Sequence, residues 1–338
     1  MLKLLSLCIL LFFSCTTLPP TTQTLSPEPN IPEVSNPNHS NLTFTELWGY
    51  VLAGKEHCLK PEYPLTDIAY FGANLSTFGE LVDVPNPTKL QQFNARKHMV
   101  IVDSSRSLSH FCIDPNFPLR EKLIQDIVLA SAHFDGIQID FELVPRQDKD
   151  SFISFLKELK EHLPNKIISV ALPARLKDIE NDQYDYYTIA QIVDKIVVMA
   201  YDEHWSTSKP GPIASMDWCQ KIALYAKEKI PQEKLIMGLP FYGRAWSQDK
   251  TPGAYRYEYI EHLKEKHAIA TVNRKESIPY FEIPIETTIH IYYEDTISLR
   301  NRLSLYTELA IENVSFWRLG LEDISIWNHL SIKKDLSQ

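Results

Sequence analysis

With 338 residues, 44% of them hydrophobic and 23% charged, the chain is long enough to bury a full core and too polar to lie in a membrane throughout. A formal net charge of -9 and a pI near 5.7, without a basic run, argue against a general nucleic-acid binder. Only 10 glycines are present, and none builds a phosphate-cradling loop.

The N-terminal segment carries Lys3 and then an apolar run from Leu4 to Phe13. That run is short for a bilayer span and has the shape of a secretory h-region. It ends Phe12-Phe13-Ser14-Cys15, which resembles a relaxed bacterial lipobox. The resemblance implies a lipoprotein signal peptide over residues 1–15, cleaved before a lipidated Cys15. An ordinary signal peptide with an incidental cysteine, or an uncleaved anchor, are the alternatives. Residues 16–42 are rich in Pro, Thr, Ser and Asn, with Pro19, Pro20, Pro27, Pro29, Pro32 and Pro37, and hold too few apolar side chains to offset the entropy of ordering. They read as a disordered tether. Together the two segments predict a protein of the cell envelope, extracytoplasmic and lipid-anchored to a bacterial membrane.

From Leu42 onward short apolar runs alternate with amphipathic stretches. Strands are expected from Trp48 to Val51, Ile68 to Ala73, Met99 to Val102, Gly136 to Glu142, Ile167 to Leu172, Ile196 to Tyr201, Leu235 to Pro240 and Val314 to Leu319. Apolar residues at three- and four-residue spacing predict helices from Leu119 to His133, Asp148 to Leu163, Ser215 to Lys229 and Ser298 to Ala310. Strands interleaved with helices in this number predict an α/β fold, a (β/α)8 TIM barrel over residues 43–333, in preference to an open sheet. The first two helices of such a barrel are weakly marked. Residues 247–289, between the seventh and eighth strands, exceed a usual connection. With Tyr255, Tyr257, Tyr259, Tyr280 and Phe281, this stretch is expected to fold as a small, reduced α+β insertion walling one side of a cleft.

Chemistry concentrates in Phe134-Asp135-Gly136-Ile137-Gln138-Ile139-Asp140-Phe141-Glu142. On a strand, Gln138, Asp140 and Glu142 share one face, and Ile137, Ile139 and Phe141 the other. Two carboxylates on an inward face are hard to explain by stability, because Asp and Glu are rarely buried without partners; the bland alternative is a solvated edge strand with chance acids. Residues two apart on a strand lie about 7 Å apart, close enough to serve one reacting centre and to perturb each other's protonation.

These residues resemble the Asp-x-x-Asp-x-Asp-x-Glu signature of the family-18 glycoside hydrolases, the chitinase-like enzymes, with the spore-cortex-lytic branch most similar. Asp135, Asp140 and Glu142 match, Asp135 and Gly136 as structural positions, and Gln138 stands where most of the family carries the second Asp. Three further motifs follow in family order. Val198-Met199-Ala200-Tyr201-Asp202 resembles Met-x-Tyr-Asp at the sixth strand, Gly238-Leu239-Pro240-Phe241-Tyr242-Gly243-Arg244 resembles Gly-x-Pro-x-Tyr-Gly-Arg after the seventh, and Phe316-Trp317-Arg318-Leu319-Gly320 resembles the last strand of the spore-cortex-lytic branch. The Ser-x-Gly-Gly usual on strand three of chitinases is absent, and Ile101-Val102-Asp103-Ser104-Ser105 stands there.

The resemblance implies a retaining, substrate-assisted glycosidase in which the sugar's own 2-acetamido carbonyl attacks the anomeric carbon. Carried over, Glu142 would protonate the leaving oxygen and later activate water, Asp140 would orient the acetamido N–H, and Tyr201 would hold the acetamido carbonyl. Gln138, Met199, Asp202, Tyr242, Arg244, Trp317 and Trp48 would bind substrate, with Gln138 expected to donate an amide hydrogen bond to Asp140. The implied substrate is a β-1,4-linked N-acetylglucosamine glycan, peptidoglycan first and chitin oligomers second. A catalytically inactive, lectin-like barrel is the alternative, against which the retained Glu142 argues. No cofactor, no metal and no nucleic-acid partner is implied, and a monomer is expected. Cys58, Cys112 and Cys219 follow the tether; a Cys58–Cys112 bridge is open, because both follow early strands in an oxidising compartment. His57 and His110 lack zinc-ligand spacing, and no Gly-x-Ser-x-Gly turn is present for a serine hydrolase.

Overall fold

A computed structural model describes residues 41–247, 253–284 and 288–333. The signal segment, Cys15 and nearly all of the tether lie outside the described residues. Eight parallel strands, β1 (Glu46–Leu52), β2 (Asp67–Leu75), β3 (Arg96–Asp103), β4 (Gly136–Phe141), β5 (Ile167–Pro173), β6 (Lys195–Met199), β7 (Leu235–Pro240) and β8 (Asn313–Trp317), pair in sequence order. β1 pairs with both β2 and β8, which closes the expected barrel. All six residues of β4 and of β7 are buried, the consequence of a parallel sheet covered on both faces, and the reason these strands read as near-continuous apolar runs.

The covering helices are α1 (Arg106–Ile113) and α2 (Pro118–Ala130) after β3, α3 (Lys149–His162) after β4, α4 (Tyr186–Ala190) after β5 and α5 (Met216–Lys229) after β6. α6 (Tyr257–Lys266) belongs to the insertion, and α7 (Thr296–Glu308) precedes β8. Their sequences explain them locally. α2 begins on Pro118, where a missing N–H costs nothing. α3 buries Phe152, Ile153, Phe155, Leu156 and Leu159, one helical face. α7 starts in a reciprocal cap, Ser298 N to Asp295 Oδ1 at 2.9 Å and Asp295 N to Ser298 Oγ at 3.0 Å. No α-helix follows β1 or β2; 3-10 turns at Glu56–Cys58 and Pro87–Leu90 stand there instead. Pro61, Pro64, Pro85 and Pro87 forbid a longer helix in those connections, which accounts for their weak marking. Among the described residues no helix is long and apolar enough to cross a membrane.

The insertion is an antiparallel sheet of five strands in the order Ala254–Tyr255, Gly243–Trp246, Thr288–Tyr292, Ile278–Pro284 and Asn273–Lys275, with α6 beside it. Ile260, Phe281, Ile283, Ile291 and Tyr293 form its own small core. It starts at Gly243, earlier than the expected residue 247, because Gly243 already pairs into this sheet. A Cβ at Gly243 would collide with Ile260 Cδ1 and stand 2.6 Å from Tyr293 Cβ, so this crossing from barrel to sheet admits only glycine.

Inside the barrel, Trp48, Tyr50, Ala69, Val100, Val197 and Ile236 pack together, with Phe71, Val102 and Trp317 against them toward the strand ends. The opposite end is closed by ion pairs. Arg96 bridges Glu46 and Asp67, Lys195 reaches Glu46, and His98 Nε2 lies 2.7 Å from Asp67 Oδ1. Pairing offsets part of the cost of desolvating these charges. The arrangement leaves the C-terminal end of the strands as the open face.

Candidate active site

β4 delivers the carboxylates as its alternation predicts. Ile137, Ile139 and Phe141 enter the core between strands and helices, while Gln138 and Asp140, at 0% and 5% exposed, point into the barrel. Glu142 stands one residue past the strand, open to solvent at the mouth. The start of the strand is pinned by Asp135, whose carboxylate accepts from Lys97 N at 2.7 Å. Gly136 is required there, since a Cβ would meet both His98 Nδ1 and Ile167 O at 2.5 Å. The end is pinned by Tyr184, which donates to Phe141 O at 2.6 Å and accepts from Val144 N at 2.9 Å. Glu142 N itself donates to Asp103 O at 2.9 Å, and Asp103 is buried against Ser109 Oγ at 2.5 Å and Ser105 N at 3.1 Å. The segment that replaces Ser-x-Gly-Gly thus supports the turn carrying Glu142.

Gln138 does not bond to Asp140, and that expectation is corrected. Its Oε1 accepts from Tyr50 Oη at 2.6 Å and its Nε2 donates to Ser169 Oγ at 3.2 Å; Ser169 Oγ donates onward to Ile137 O at 3.1 Å. The glutamine side chain reaches Tyr50 on β1 across the barrel and Ser169 on the adjacent β5, and Asp140 Oδ1 is left buried and without a partner among the described residues. Burial, and then the charge of Glu142, push the Asp140 carboxyl up to about 8. Glu142 is also raised, by partial desolvation at the mouth and then by Asp202.

β6 ends at Met199, so Tyr201 and Asp202 sit just beyond it, and Asp202 adopts a left-handed backbone (φ 59°) that short polar side chains tolerate. Asp202 Oδ1 accepts from Tyr242 Oη at 2.5 Å and from Arg244 Nε and Nη2 at 3.0 and 2.7 Å. The sixth- and seventh-strand motifs therefore form one cluster. Tyr201 stands edge-on to Tyr242 with ring centres 6.4 Å apart. Gly238 lets it in, because a Cβ there would lie 3.0 Å from Tyr201 Cε1. Burial, followed by Tyr50 and Asp140, holds the Tyr201 hydroxyl protonated. Met199 is half-buried at the same strand end. Trp317 packs edge-on against Tyr50 at 5.3 Å and Phe71 at 4.8 Å, partly open, as the floor of the mouth.

Trp48 is placed elsewhere. It is fully buried below Tyr50, its Nε1 donates to Glu46 Oε2 at 2.9 Å, and its ring lies 4.2 Å from that of His98. Strand alternation puts residues 48 and 50 on one inward face, and the residue nearer the open end is the one that reaches the site. Tyr50, not Trp48, is thus the β1 residue that reaches the candidate site, and its position two residues on from Trp48 is the signal in the sequence. Ser169, Tyr184 and Phe71 were missed as well, and nothing local in their sequence marks them. Cys58, Cys112 and Cys219 are all free thiols. His110 Nδ1 lies 3.0 Å from both Asp148 oxygens, with Asp114 nearby, a histidine–carboxylate contact of the loops around α1.

A closed eight-strand barrel with a carboxylate pair at the end of its fourth strand defines the class of protein, and the chain belongs to the glycosyl hydrolases family 18, whose pattern it matches over residues 113–322. It is similar to the uncharacterized glycosylase YvbX of Bacillus subtilis, 32% identical over 215 residues that cover 60% of this chain and 62% of the relative. It is also similar to the cortical fragment-lytic enzyme of Bacillus anthracis, 25% identical over 293 residues, or 79% of this chain and 67% of the relative. Part of each relative therefore has no counterpart in the match. Among solved structures, the Bacillus cereus spore cortex-lytic enzyme SleL shares the fold with a TM-score of 0.76 at 23% identity, over 88% of this chain and 76% of that one. A chitinase from Chromobacterium violaceum does so with a TM-score of 0.75 at 22% identity, over 84% and 96%.

Proposed function

We propose that the protein is a glycosidase that cleaves β-1,4-linked N-acetylglucosamine glycans with retention, using the substrate's own acetamido group as nucleophile. The observation that carries the reading is the pair of carboxyls on β4, Asp140 buried and pushed up to about 8, and Glu142 at the mouth, also raised. A raised glutamic acid keeps its proton closer to neutral pH and can hand it to the glycosidic oxygen. A carboxyl that also holds its proton is a poor nucleophile, which favours attack by the acetamido oxygen over attack by Asp140. In this reading Asp140 accepts the acetamido N–H, its unpartnered oxygen being free to do so, and the Tyr201 hydroxyl donates to the acetamido oxygen. Glu142, now a carboxylate, then takes a proton from the incoming water. Peptidoglycan is the preferred polymer, supported by the similarity to cortical fragment-lytic enzymes and by the envelope location expected from Ser14-Cys15. Chitin oligomers stand second.

The test is Glu142→Gln, which keeps shape and removes the transferable proton. Release of reducing ends from GlcNAc oligomers is expected to fall ~100- to 10,000-fold while oligomer binding survives. Equal rates for the two forms would remove Glu142 from the acid role, and a wild-type protein that binds without hydrolysing would make this a glycan-binding barrel. Mass spectrometry of purified peptidoglycan after digestion separates the two polymers. The same reading holds the protein at a membrane through acyl chains on Cys15, each buried methylene adding about 0.8 kcal/mol. Cys15→Ala is expected to move it into the soluble fraction; unchanged membrane partition overturns the anchor.

A further inference from the structure

Among the described residues six aspartates are buried: Asp67, Asp103, Asp140, Asp148, Asp182 and Asp295. A buried carboxylate needs hydrogen-bond donors to replace its water, and four of the six have them. Asp67 accepts from Thr66, Arg96 and His98, Asp103 from Ser105 N and Ser109 Oγ, Asp182 from Arg175 and Tyr184 N, and Asp295 from Arg274 and Ser298 N. Asp140 is one exception, at the catalytic centre. Asp148 is the other. It is 4% exposed, and both of its oxygens stand 3.0 Å from a single imidazole nitrogen, His110 Nδ1. No other donor, and no lysine or arginine, reaches that carboxylate among the described residues. A carboxylate offers about four lone-pair sites, and one N–H can point squarely at only one oxygen.

A second carboxylate stands at the same point. His110 lies in the last turn of α1 and Asp114 directly follows that helix, four residues on, a spacing that brings side chains to one helix face. Ligand atoms of His110, Asp114 and Asp148 all lie within 4.8 Å of one another. Asp114 Oδ1 accepts from Asn116 N at 2.9 Å and Asn116 Nδ2 at 2.8 Å, while its Oδ2 makes no hydrogen bond among the described residues. The rings of Phe111 and Phe117, centred 5.2 and 5.5 Å from that of His110, hold the imidazole in place. Two like charges from the ends of different helices are thus gathered around one imidazole, and their repulsion is left without a full counter-charge.

We propose that His110, Asp114 and Asp148 form a site for a divalent transition-metal ion, zinc in preference to calcium, which ties the end of α1 to the start of α3. The proposal is independent of the glycosidase reading, whose chemistry uses none of these groups. One imidazole nitrogen with carboxylate oxygens is a donor set that zinc accepts, whereas calcium takes oxygen ligands. Ligand atoms about 2.0–2.1 Å from zinc stand about 2.9–3.4 Å from each other. The 3.0 Å between His110 Nδ1 and the Asp148 oxygens matches that spacing, with the ion in place of the Nδ1 proton. Asp148 N donates to Pro145 O at 3.0 Å, closing the turn that leads away from Glu142. The ion therefore fastens the far end of that turn to α1.

The experiment uses the full chain, tag-free and stripped of metal by a chelator. Equilibrium dialysis against Zn2+ alone, read by inductively coupled plasma mass spectrometry, is expected to give one equivalent per chain that a tenfold excess of Ca2+ does not displace. Zinc at about 100 times its Kd should raise the thermal midpoint by a few degrees. His110→Ala and Asp148→Asn should each weaken zinc by at least the ~10- to 100-fold that loss of an outer-shell partner costs a metal site. A chain that takes up no zinc, or whose affinity for it is unchanged by both substitutions, overturns the proposal. Displacement by Ca2+ overturns it too, because the imidazole would then not be a ligand. Should the buried Asp148→Asn fail to fold, Asp114→Asn at the partly open edge is expected to weaken zinc by about 10-fold without moving the thermal midpoint of the metal-free chain, and an unchanged affinity counts against the site.

Discussion

Asp140 is a carboxyl whose folded surroundings favour the proton, and this has a measurable consequence apart from catalysis. Its value of about 8 in the fold lies above the ordinary 3.9 or so of an unfolded chain. Between those values the folded state binds the extra proton, so stability falls as pH rises through that window, with a slope of at most about 1.4 kcal/mol per pH unit. Urea unfolding at pH 4 and pH 8 should show this loss, and Asp140→Asn should flatten it; identical slopes would mean that Asp140 ionises normally. Glu142 offers a second check. Desolvation is the larger cause of its raised value and the charge of Asp202 the smaller, so Asp202→Asn is expected to move the alkaline limb of kcat/KM to lower pH. Gln138→Asp has a different effect. The shorter side chain cannot span from Tyr50 Oη to Ser169 Oγ, and it adds a titrating group beside Asp140. The acidic limb of the pH–rate profile should change more than glycan affinity, and an unaltered profile with weakened binding would show that Gln138 acts on substrate directly. On the proposed substrate-assisted mechanism, de-N-acetylated oligomers should resist every form, and efficient cleavage of them would mean that an enzyme carboxylate attacks directly.

At the scale of elements, the turn that presents Glu142 depends on residues at two other strand ends, Asp103 of β3 and Tyr184 beyond β5. Tyr184, beyond β5, closes hydrogen bonds to Phe141 O and Val144 N, on both sides of the glutamate. Tyr184→Phe leaves a buried carbonyl and a buried N–H unsatisfied, a loss of about 1–3 kcal/mol. Because that loss falls on the orientation of Glu142, kcat should drop while KM stays nearly constant; a change in KM alone would place Tyr184 in substrate binding. The period-two alternation of β4 is legible in its own residues, and so are the four motifs, since each is local. The bonds that Gln138 makes are not. They come from β1 and β5, and no local pattern states which neighbouring strand end will meet a given side chain.

For the whole molecule, closure of the barrel and attachment of the insertion are separate matters. Arg302 on α7 and Glu294 just before it are both fully buried, with Nη2 to Oε1 at 3.0 Å and Nη1 to Oε2 at 3.2 Å, and Arg302 also donates to Ala214 O at 2.5 Å in the connection after β6. Removing one partner strands the other charge, so Arg302→Met is expected to cost roughly 3–5 kcal/mol in urea unfolding. A replacement of both by apolar residues should cost much less; equal losses would show that packing, not charge, holds this joint. Sequence alone determined the eight strands, the covering helices after β3, β4 and β6, and the carboxylates on one face of β4, because hydrophobic periodicity and motif spacing are carried by neighbours along the chain. Only the tertiary structure decided that 3-10 turns in proline-bearing connections replace the first two helices, that Trp48 lies buried below Tyr50 while Tyr50 reaches the candidate site, and that Gln138 meets Tyr50 and Ser169. Those outcomes depend on barrel closure, which sets the register between β8 and β1 and brings together residues hundreds of positions apart in the chain.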